Sequence, residues 1–322
     1  MQAQPETDVI EGVYLCNKLD LPGLFAPSLD KVPGLHVYAP GDVPDPARIR
    51  FALAWRPGPQ AFAPYSNLSL VQSIASGVDG ILSSSSLPPQ AQIARVRDPG
   101  QAHVMAGFAV WHVVWHHRAM ANYVRNTARG LWERTSFDTL VAPSDLTVGI
   151  LGFGLMGRTI AEAVERLGFN VVAASTTPRT SAGAIQVISG PEACRTVSRQ
   201  ADFLINVLPL TRTTQGLIDA AFLAGMKPGA VLIHLGRGEH VIEADLLDAL
   251  DNGHLGGASL DVFTTEPLAP DHPFWGHPKV LVTPHEASVL PAAAVVTSLR
   301  QSLFEVQAGL PLTAGVDRYR GY

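Results

Sequence analysis

The sequence predicts an α/β fold with parallel sheets, and three observations predict it. Short apolar runs recur along the chain, and amphipathic stretches such as RTIAEAVERLG and EADLLDALDNG separate several of them in the second half. The composition, 47% hydrophobic and 16% charged, is apolar enough for strands covered on both faces. With 322 residues, the chain exceeds the roughly 250–300 at which a single core stops growing, so two domains are expected.

The elements follow in order. VYLC (13–16), LHVY (35–38), FALAW (51–55) and LVQSIA (70–75) read as buried strands or short helices, and segments such as APGDVPDPAR and WRPGPQAFAP break them apart. HVMAGFAVWHVVWHHR, from His103 to Arg118, reads as a long and mostly buried helix. A tidier alternation then begins. Its strands are VGILG (148–152), NVVAAS (170–175), DFLINVLP (202–209), AVLIHLG (230–236), GASLDVF (257–263) and VLVTPH, which ends at His285. No internal repeat or low-complexity segment interrupts them.

Charge and length patterns exclude several partner classes. Net charge is −5 with no long basic run, which argues against nucleic acid and anionic lipid. The N-terminus MQAQPETDVIEG is acidic and lacks an apolar signal core, and no uninterrupted run reaches the roughly 20 apolar residues of a membrane span. Cys16 and Cys194 lie far apart and form no CxxC pair. A soluble cytoplasmic protein is the expectation.

The glycines of VGILGFGLMGRTIAEAVERLG carry the first chemistry. Gly152, Gly154 and Gly157 have G-x-G-x-x-G spacing between an apolar strand and an amphipathic helix that Gly168 closes. The spacing alone is weak; its context makes it a dinucleotide loop. The first glycine allows a tight turn, the second lets backbone approach a pyrophosphate, and the third lets helix and strand pack closely. Leu155 and Met156, between them, would offer helix N-terminal amides to the phosphates. The following strand lacks the terminal carboxylate that holds adenosine ribose hydroxyls in NAD sites. It ends instead in Ser175, Thr176, Thr177, Pro178 and Arg179. Hydroxyls and a guanidinium suit a 2′-phosphate, so NADP(H) is the preferred cofactor, with NAD(H) possible.

Three further residues follow predicted strand ends: Arg237 after AVLIHLG, Glu266 just past GASLDVF, and His285. The carboxyl ends of strands in an open parallel sheet line the ligand crevice, so the three are expected to converge. Hydride reduction of a 2-keto acid needs a cation to orient the carboxylate and polarise the keto oxygen, and an acid to protonate the alkoxide. Arg237 is always charged and bonds two oxygens at once. Histidine, with a reference pKa of about 6.5, carries a proton when a carboxylate favours its charged form. Glu266 is the expected carboxylate. Taken singly, a strand-end histidine or a glutamate before proline is an ordinary structural residue; the combination with the glycine loop points to catalysis.

LGRGEHVIEADLLDAL, GASLDVFTTEPL and VLVTPHEAS resemble motifs of the D-isomer-specific 2-hydroxyacid dehydrogenases. The likeness runs from AWRPG and ASGVDGIL to the final VDRYRGY, and is strongest to the glyoxylate/hydroxypyruvate reductase A branch. It implies that Arg237, Glu266 and His285 are the catalytic trio. It also implies a homodimer and a Rossmann cofactor domain, residues 102–286, inserted in a flavodoxin-like substrate domain of residues 1–101 and 287–322. The substrate would then be a small 2-keto or 2-hydroxy acid. Ser76, Gly77 and Val78, before Asp79, match the loop whose amides bind the substrate carboxylate. Trp55, beside Arg56, would limit substrate size or belong to the core. Leu208, Pro209, Leu210 and Thr211 would line the cofactor cleft, with Leu235, Gly236 and Asp261 also near the cofactor. Gly236 and Gly238 would leave room for cofactor and substrate beside Arg237.

The chain departs from the pattern at Glu286, where the family has an uncharged residue, and over DPGQAHVMAGFAV. His112 and His116 have the i, i+4 spacing of a metal pair but lack the glutamate of H-E-x-x-H, and no metal site is expected. Trp132 in GLWERTSF reads as surface or core packing rather than part of a partner subunit's site. The rival functions are another D-2-hydroxyacid dehydrogenase, of phosphoglycerate or D-lactate type, and a nucleotide-sensing interaction protein resembling the corepressors of this fold.

Overall fold

The computed structural model describes residues 9–134, 140–179 and 183–322. The acidic opening MQAQPETD and part of GLWERTSF therefore lie outside the described residues.

In chain order the elements are β1 (Ile10–Cys16), α1 (Leu21–Leu29), β2 (Leu35–Tyr38), β3 (Phe51–Trp55), β4 (Leu70–Ser73), α2 (Asp79–Leu82), β5 (Gln92–Ala94), α3 (Pro99–His117), α4 (Met120–Ala128), β6 (Thr147–Leu151), α5 (Leu155–Glu165), β7 (Asn170–Ser175), β8 (Gln186–Ser189), α6 (Ala193–Gln200), β9 (Phe203–Asn206), α7 (Ala220–Ala224), β10 (Val231–His234), α8 (Glu243–Asp251), β11 (Gly257–Leu260), β12 (Val280–Val282) and α9 (Ala292–Gln307). They divide into two compact units, one of residues up to Asp98 with Leu290–Tyr322, the other Pro99–Val289. The sequence placed these junctions at 101/102 and 286/287. The first falls earlier because α3 begins at Pro99, a residue suited to a helix start, and the helix goes with the second unit as one element.

The first unit is a five-stranded parallel sheet of order β2-β1-β3-β4-β5, the flavodoxin-like order. One face carries α1 and α9. Asp20 starts α1 by accepting the Gly23 N–H at 3.0 Å, and Leu21, Phe25 and Leu29 project from one side of it at helical spacing. These meet Val295, Leu299 and Leu303 of α9 and Leu53 and Leu70 of the sheet. The opposite face is covered largely without long helices: Phe62, Tyr65 and Leu68, from the Pro/Gly-rich connection after β3, pack on Val13, Ala52 and Val71 with Ile81 of α2.

The second unit is a seven-stranded parallel sheet of order β12-β11-β10-β9-β6-β7-β8. The chain runs outward from β6 to β8 and then returns to add β9 through β12 on the other side. The crevice of an open parallel sheet opens at such a reversal, here between β6 and β9. Apolar layers lie on both faces, one with α3 and α5, the other with α6, α7 and α8. Helix α5 buries Gly157, Ile160, Ala161 and Val164, a stripe one helical face wide.

Three expectations change. The sequence predicts a mostly buried helix over His103–Arg118, yet only one face of α3 is buried: Ala102, Ala106, Ala109 and Val113 point inward, while Val104, Trp111 and Val114 are exposed. The strand in DFLINVLP stops at Asn206 because its side chain takes the Leu208 N–H at 3.1 Å and turns the chain. Strands β5 and β8, at sheet edges, lie beyond the strands the sequence predicts; in β8 Gln186 and Ser189 are exposed while Val187 and Ile188 pack on opposite apolar layers, so neither face alternates. Among the described residues no helix is long and apolar enough to cross a membrane.

Candidate active site

All strands of the second sheet are parallel, so every loop after a strand emerges on one rim. The glycine loop follows β6 there. Gly152 has φ +100°, which a side chain would strain. A Cβ at Gly157 would lie 1.7 Å from the Gly152 carbonyl oxygen, so the helix touches the turn backbone to backbone. A Cβ at Gly154, by contrast, would meet nothing within 4 Å. This glycine is also the N-cap of α5 and supplies no side chain to cap it, which leaves the first-turn amides of Leu155, Met156 and Gly157 for an anion. Gly157→Ala is expected to cost about 1–3 kcal/mol by overpacking and to weaken cofactor binding. A melting curve and an NADPH titration check it; a variant as stable as the parent would show that the turn can yield.

After β7, Thr176, Thr177 and Arg179 are exposed. Ser175 differs from them, being buried with its hydroxyl donating to the Thr177 carbonyl at 2.8 Å. Its proton shapes the turn. After β9, Thr214 Oγ1 accepts the Thr211 N–H at 2.8 Å and donates to Pro209 O at 2.7 Å. Leu208 is buried, while Pro209, Leu210 and Thr211 are half-buried.

Arg237, Glu266 and His285 follow β10, β11 and β12, three adjacent strands, and so share that rim. The Arg237 backbone is extended, and one guanidinium nitrogen donates to Gly236 O at 2.8 Å. His285 Nδ1 lies 3.1 Å from each carboxylate oxygen of Glu266. Glu266 Oε1 also accepts the Phe263 N–H at 3.2 Å, which sets the carboxylate against its own loop. With Nδ1 engaged, Nε2 is the ring position open to other chemistry. His285 has φ +58°, an uncommon conformation for a residue with a side chain. The buried Asp261 holds it. Its Oδ1 accepts from Thr283 Oγ1 at 2.7 Å and Glu286 N–H at 2.9 Å, its Oδ2 from Ala287 N–H at 2.9 Å.

The Asp261 carboxylate points into the His285 turn. Room at the two glycines flanking Arg237 is taken by protein: a Cβ at Gly236 would sit 2.9 Å from His240 Nδ1, and one at Gly238 would sit 1.9 Å from the Phe263 carbonyl carbon. Leu235 is buried in the core layer of α3 and α5. Glu286 is exposed. His112 is fully buried between the Phe108 and Trp111 rings with neither nitrogen hydrogen-bonded, while His116 shares a hydrogen bond with Ser259 of β11 at 2.8 Å. Burial pushes both pKa values down to about 4, so both are neutral near pH 7. Trp132 is 93% exposed.

In the first unit, Trp55 ends β3, and the Arg56 guanidinium stands 6.0 Å from its ring centroid. Ser76 donates to Val96 O at 3.1 Å, Ser73 donates to Gly77 O at 2.8 Å, and Val78 is the buried N-cap of α2.

The model of the D-isomer specific 2-hydroxyacid dehydrogenase NAD binding domain matches residues 110–287, more than half of the chain. The chain belongs to this family. Among curated dehydrogenases of this kind, glyoxylate/hydroxypyruvate reductase A of Serratia proteamaculans is 35% identical over 277 residues, which span 84% of this chain and 87% of that protein. The crystal structure of a D-isomer specific 2-hydroxyacid dehydrogenase from Xanthobacter autotrophicus, in complex with NADPH and MES, superposes with a TM-score of 0.90 at 33% identity, covering 98% of this chain and 100% of that one. An NADPH-dependent glyoxylate/hydroxypyruvate reductase from Sinorhizobium meliloti, in complex with NADP and sulfate, gives 0.89 at 30% identity over 97% and 100%.

Sequence reasoning missed one part of this dehydrogenase's rim. Asn206, His234 and His240 form a buried polar cluster behind Arg237. Nothing in the sequence marks it, because the three come from two strands and a turn and have no local spacing in common.

Proposed function

We propose that the chain reduces small 2-keto acids, glyoxylate to glycolate and hydroxypyruvate to D-glycerate, with NADPH preferred and NADH accepted. The observation that carries the reading is the set of three neighbouring strand ends, one followed by Arg237 and the other two by the hydrogen-bonded pair Glu266 and His285. The names of the similar reductases, and the NADPH and NADP in two of the similar structures, support it.

The residues present fit the cofactor. Gly154 has open space where a pyrophosphate would approach, the α5 amides point outward from an uncapped end, and no carboxylate ends β7. Leu208, Pro209 and Thr211 are assigned to the wall of this site. When bound, NADPH supplies hydride to the carbonyl carbon of the keto acid. The protein does the rest. Arg237 binds the substrate carboxylate and draws electron density toward the keto oxygen. His285, with Nδ1 donating to Glu266, gives the Nε2 proton to that oxygen, and Glu266 balances the charge of the imidazolium and fixes the ring. Ser76, Gly77 and Val78 are assigned to the substrate carboxylate through their amides, and Trp55 to a limit on substrate size, on the family resemblance. A homodimer and a cytoplasmic location are part of the same reading; the exposed apolar side chains Val104, Trp111 and Val114 of α3 give a dimer something to bury.

One assay tests the whole: oxidation of NADPH and NADH against glyoxylate, hydroxypyruvate, pyruvate and phosphohydroxypyruvate. Highest kcat/KM with NADPH and one of the first two is the expected result. Turnover of pyruvate or phosphohydroxypyruvate alone would move the chain to another dehydrogenase type, and no turnover at all would favour a nucleotide-sensing role. Arg179→Ala is expected to raise the KM for NADPH about tenfold, the loss of one charge-assisted hydrogen bond to phosphate, with little change for NADH. An equal loss with both cofactors would assign Arg179 to packing.

A further inference from the structure

Asn206 and His234 are register partners at the ends of β9 and β10, and His240 lies in the turn after Arg237. All three are at most 1% exposed. The Asn206 side-chain nitrogen is 3.1 Å from Nδ1 of His234 and 3.1 Å from Nδ1 of His240. Its orientation is fixed, because the other end of the amide, Oδ1, accepts the Leu208 N–H at 3.1 Å. An amide nitrogen only donates, so both Nδ1 atoms accept and both rings carry their proton on Nε2. Those protons have partners. His234 Nε2 donates to Arg237 O at 2.8 Å, and His240 Nε2 to Pro209 O at 3.3 Å. The Arg237 N–H donates to His240 Nδ1 at 3.2 Å.

Three apolar side chains could fill this space, yet the chain buries an amide and two imidazoles there with every one of these polar atoms bonded. A satisfied buried network specifies orientation more sharply than apolar packing does. Burial also pushes the His234 pKa down to about 3, so the tautomer stays neutral over any working range.

We infer that Asn206, His234 and His240 are positioning residues for Arg237, gripping its backbone on the amide and the carbonyl side and so fixing where the guanidinium stands. This rests on Arg237 being the substrate clamp. The network sets the clamp's position without touching the substrate.

The test is a double-mutant cycle on the full chain. His234→Leu removes the side-chain bond to the Arg237 carbonyl, leaving only the His240 N–H at 3.0 Å on that oxygen, and is expected to lower kcat/KM for glyoxylate about 30–100-fold, the scale of a misplaced binding group. The loss should appear as a higher keto-acid KM and a lower kcat, with the KM for NADPH within about twofold of wild type. His234→Gln keeps a side-chain N–H near the Nε2 position and should restore activity to within about fivefold. In an Arg237→Lys background, His234→Leu should cost less than about threefold, because the two changes act through one group. Multiplying losses would overturn the inference, as would a His234→Leu enzyme within about threefold of wild type when Arg237→Lys alone has collapsed. If Arg237→Lys itself keeps wild-type activity, the clamp reading fails first and takes this inference with it. Should His234→Leu be recovered unfolded, Asn206→Ser replaces it in the same cycle with the same expectations.

Discussion

Arg237→Lys is expected to lower kcat/KM for glyoxylate by about 10²–10³-fold, or roughly 3–4 kcal/mol of transition-state stabilisation. The charge survives the substitution, so a loss of this size reports geometry. A guanidinium is planar and offers two parallel N–H groups to one carboxylate while another reaches a neighbouring oxygen; an ammonium is a single point on a flexible stem. In this chain one guanidinium nitrogen already donates to Gly236 O at 2.8 Å, which anchors the group to its own loop, and lysine cannot hold that anchor and a carboxylate in the same way. The fold should be untouched, since the side chain is half-buried on the rim and not in either apolar layer. Steady-state kinetics with glyoxylate varied, and with NADPH varied, separate the two sites. A KM for NADPH within about twofold of wild type is expected. Near-normal kcat/KM for glyoxylate would remove Arg237 from the mechanism.

His285→Ala is expected to lower kcat by about 10²–10⁴-fold, the usual contribution of a positioned general acid. The pH dependence carries more information than the loss. Keto-acid reduction uses the protonated ring, so kcat/KM should be present at low pH and fall as pH rises through the titration of the acid. Oxidation of the hydroxy acid uses the neutral ring and should show the opposite limb, rising with pH. Glu266→Gln keeps the size of the side chain and its contact with Nδ1, at 3.1 Å in the parent, but removes the charge that balances an imidazolium. Loss of that charge should therefore lower kcat, with the keto-acid KM changed less than kcat. A Gln variant with wild-type kcat would mean that Glu266 does not support the acid, and His285→Ala with an intact pH limb would assign the pH dependence to another group.

The parts of this architecture that were legible in sequence are those written in local pattern. Gly152, Gly154 and Gly157 sit between an apolar strand and a helix whose buried positions repeat at helical spacing, and strand, turn and helix all form there. Each residue expected at a strand end in the second half follows a strand, because parallel strands put their exits on one rim. What escaped notice depends on side chains meeting across strands. The resemblance puts Asp261 near the cofactor, but its bonds to Thr283, Glu286 and Ala287, which brace the His285 turn, have no local sequence signal. Gly236 reads as space for a ligand until His240 and Asn206 are seen to occupy it. The bond from Ser175 to Thr177 O, which shapes the turn after β7, is likewise invisible in the sequence. In β8 the apolar Val187 and Ile188 are adjacent and turn to opposite faces between exposed polar ends, so hydrophobic alternation gives no sign of it.

Helix α9 gives the first unit a particular history during synthesis. Its residues Val295, Leu299 and Leu303 cover Leu21, Phe25 and Leu70, but they are translated 194 positions or more after Asp98, counting 292 − 98. At about 5–20 residues per second, a ribosome needs roughly 10–40 s to cross that gap. All of the second unit, Pro99–Val289, is made in the interval and can fold as it emerges. The N-terminal strands meanwhile wait with one apolar face covered by α1 alone. Nascent chains arrested before residue 292 should therefore expose a sticky surface that disappears when the last helix is added, and holdase chaperones would be needed early in the life of each molecule and not later.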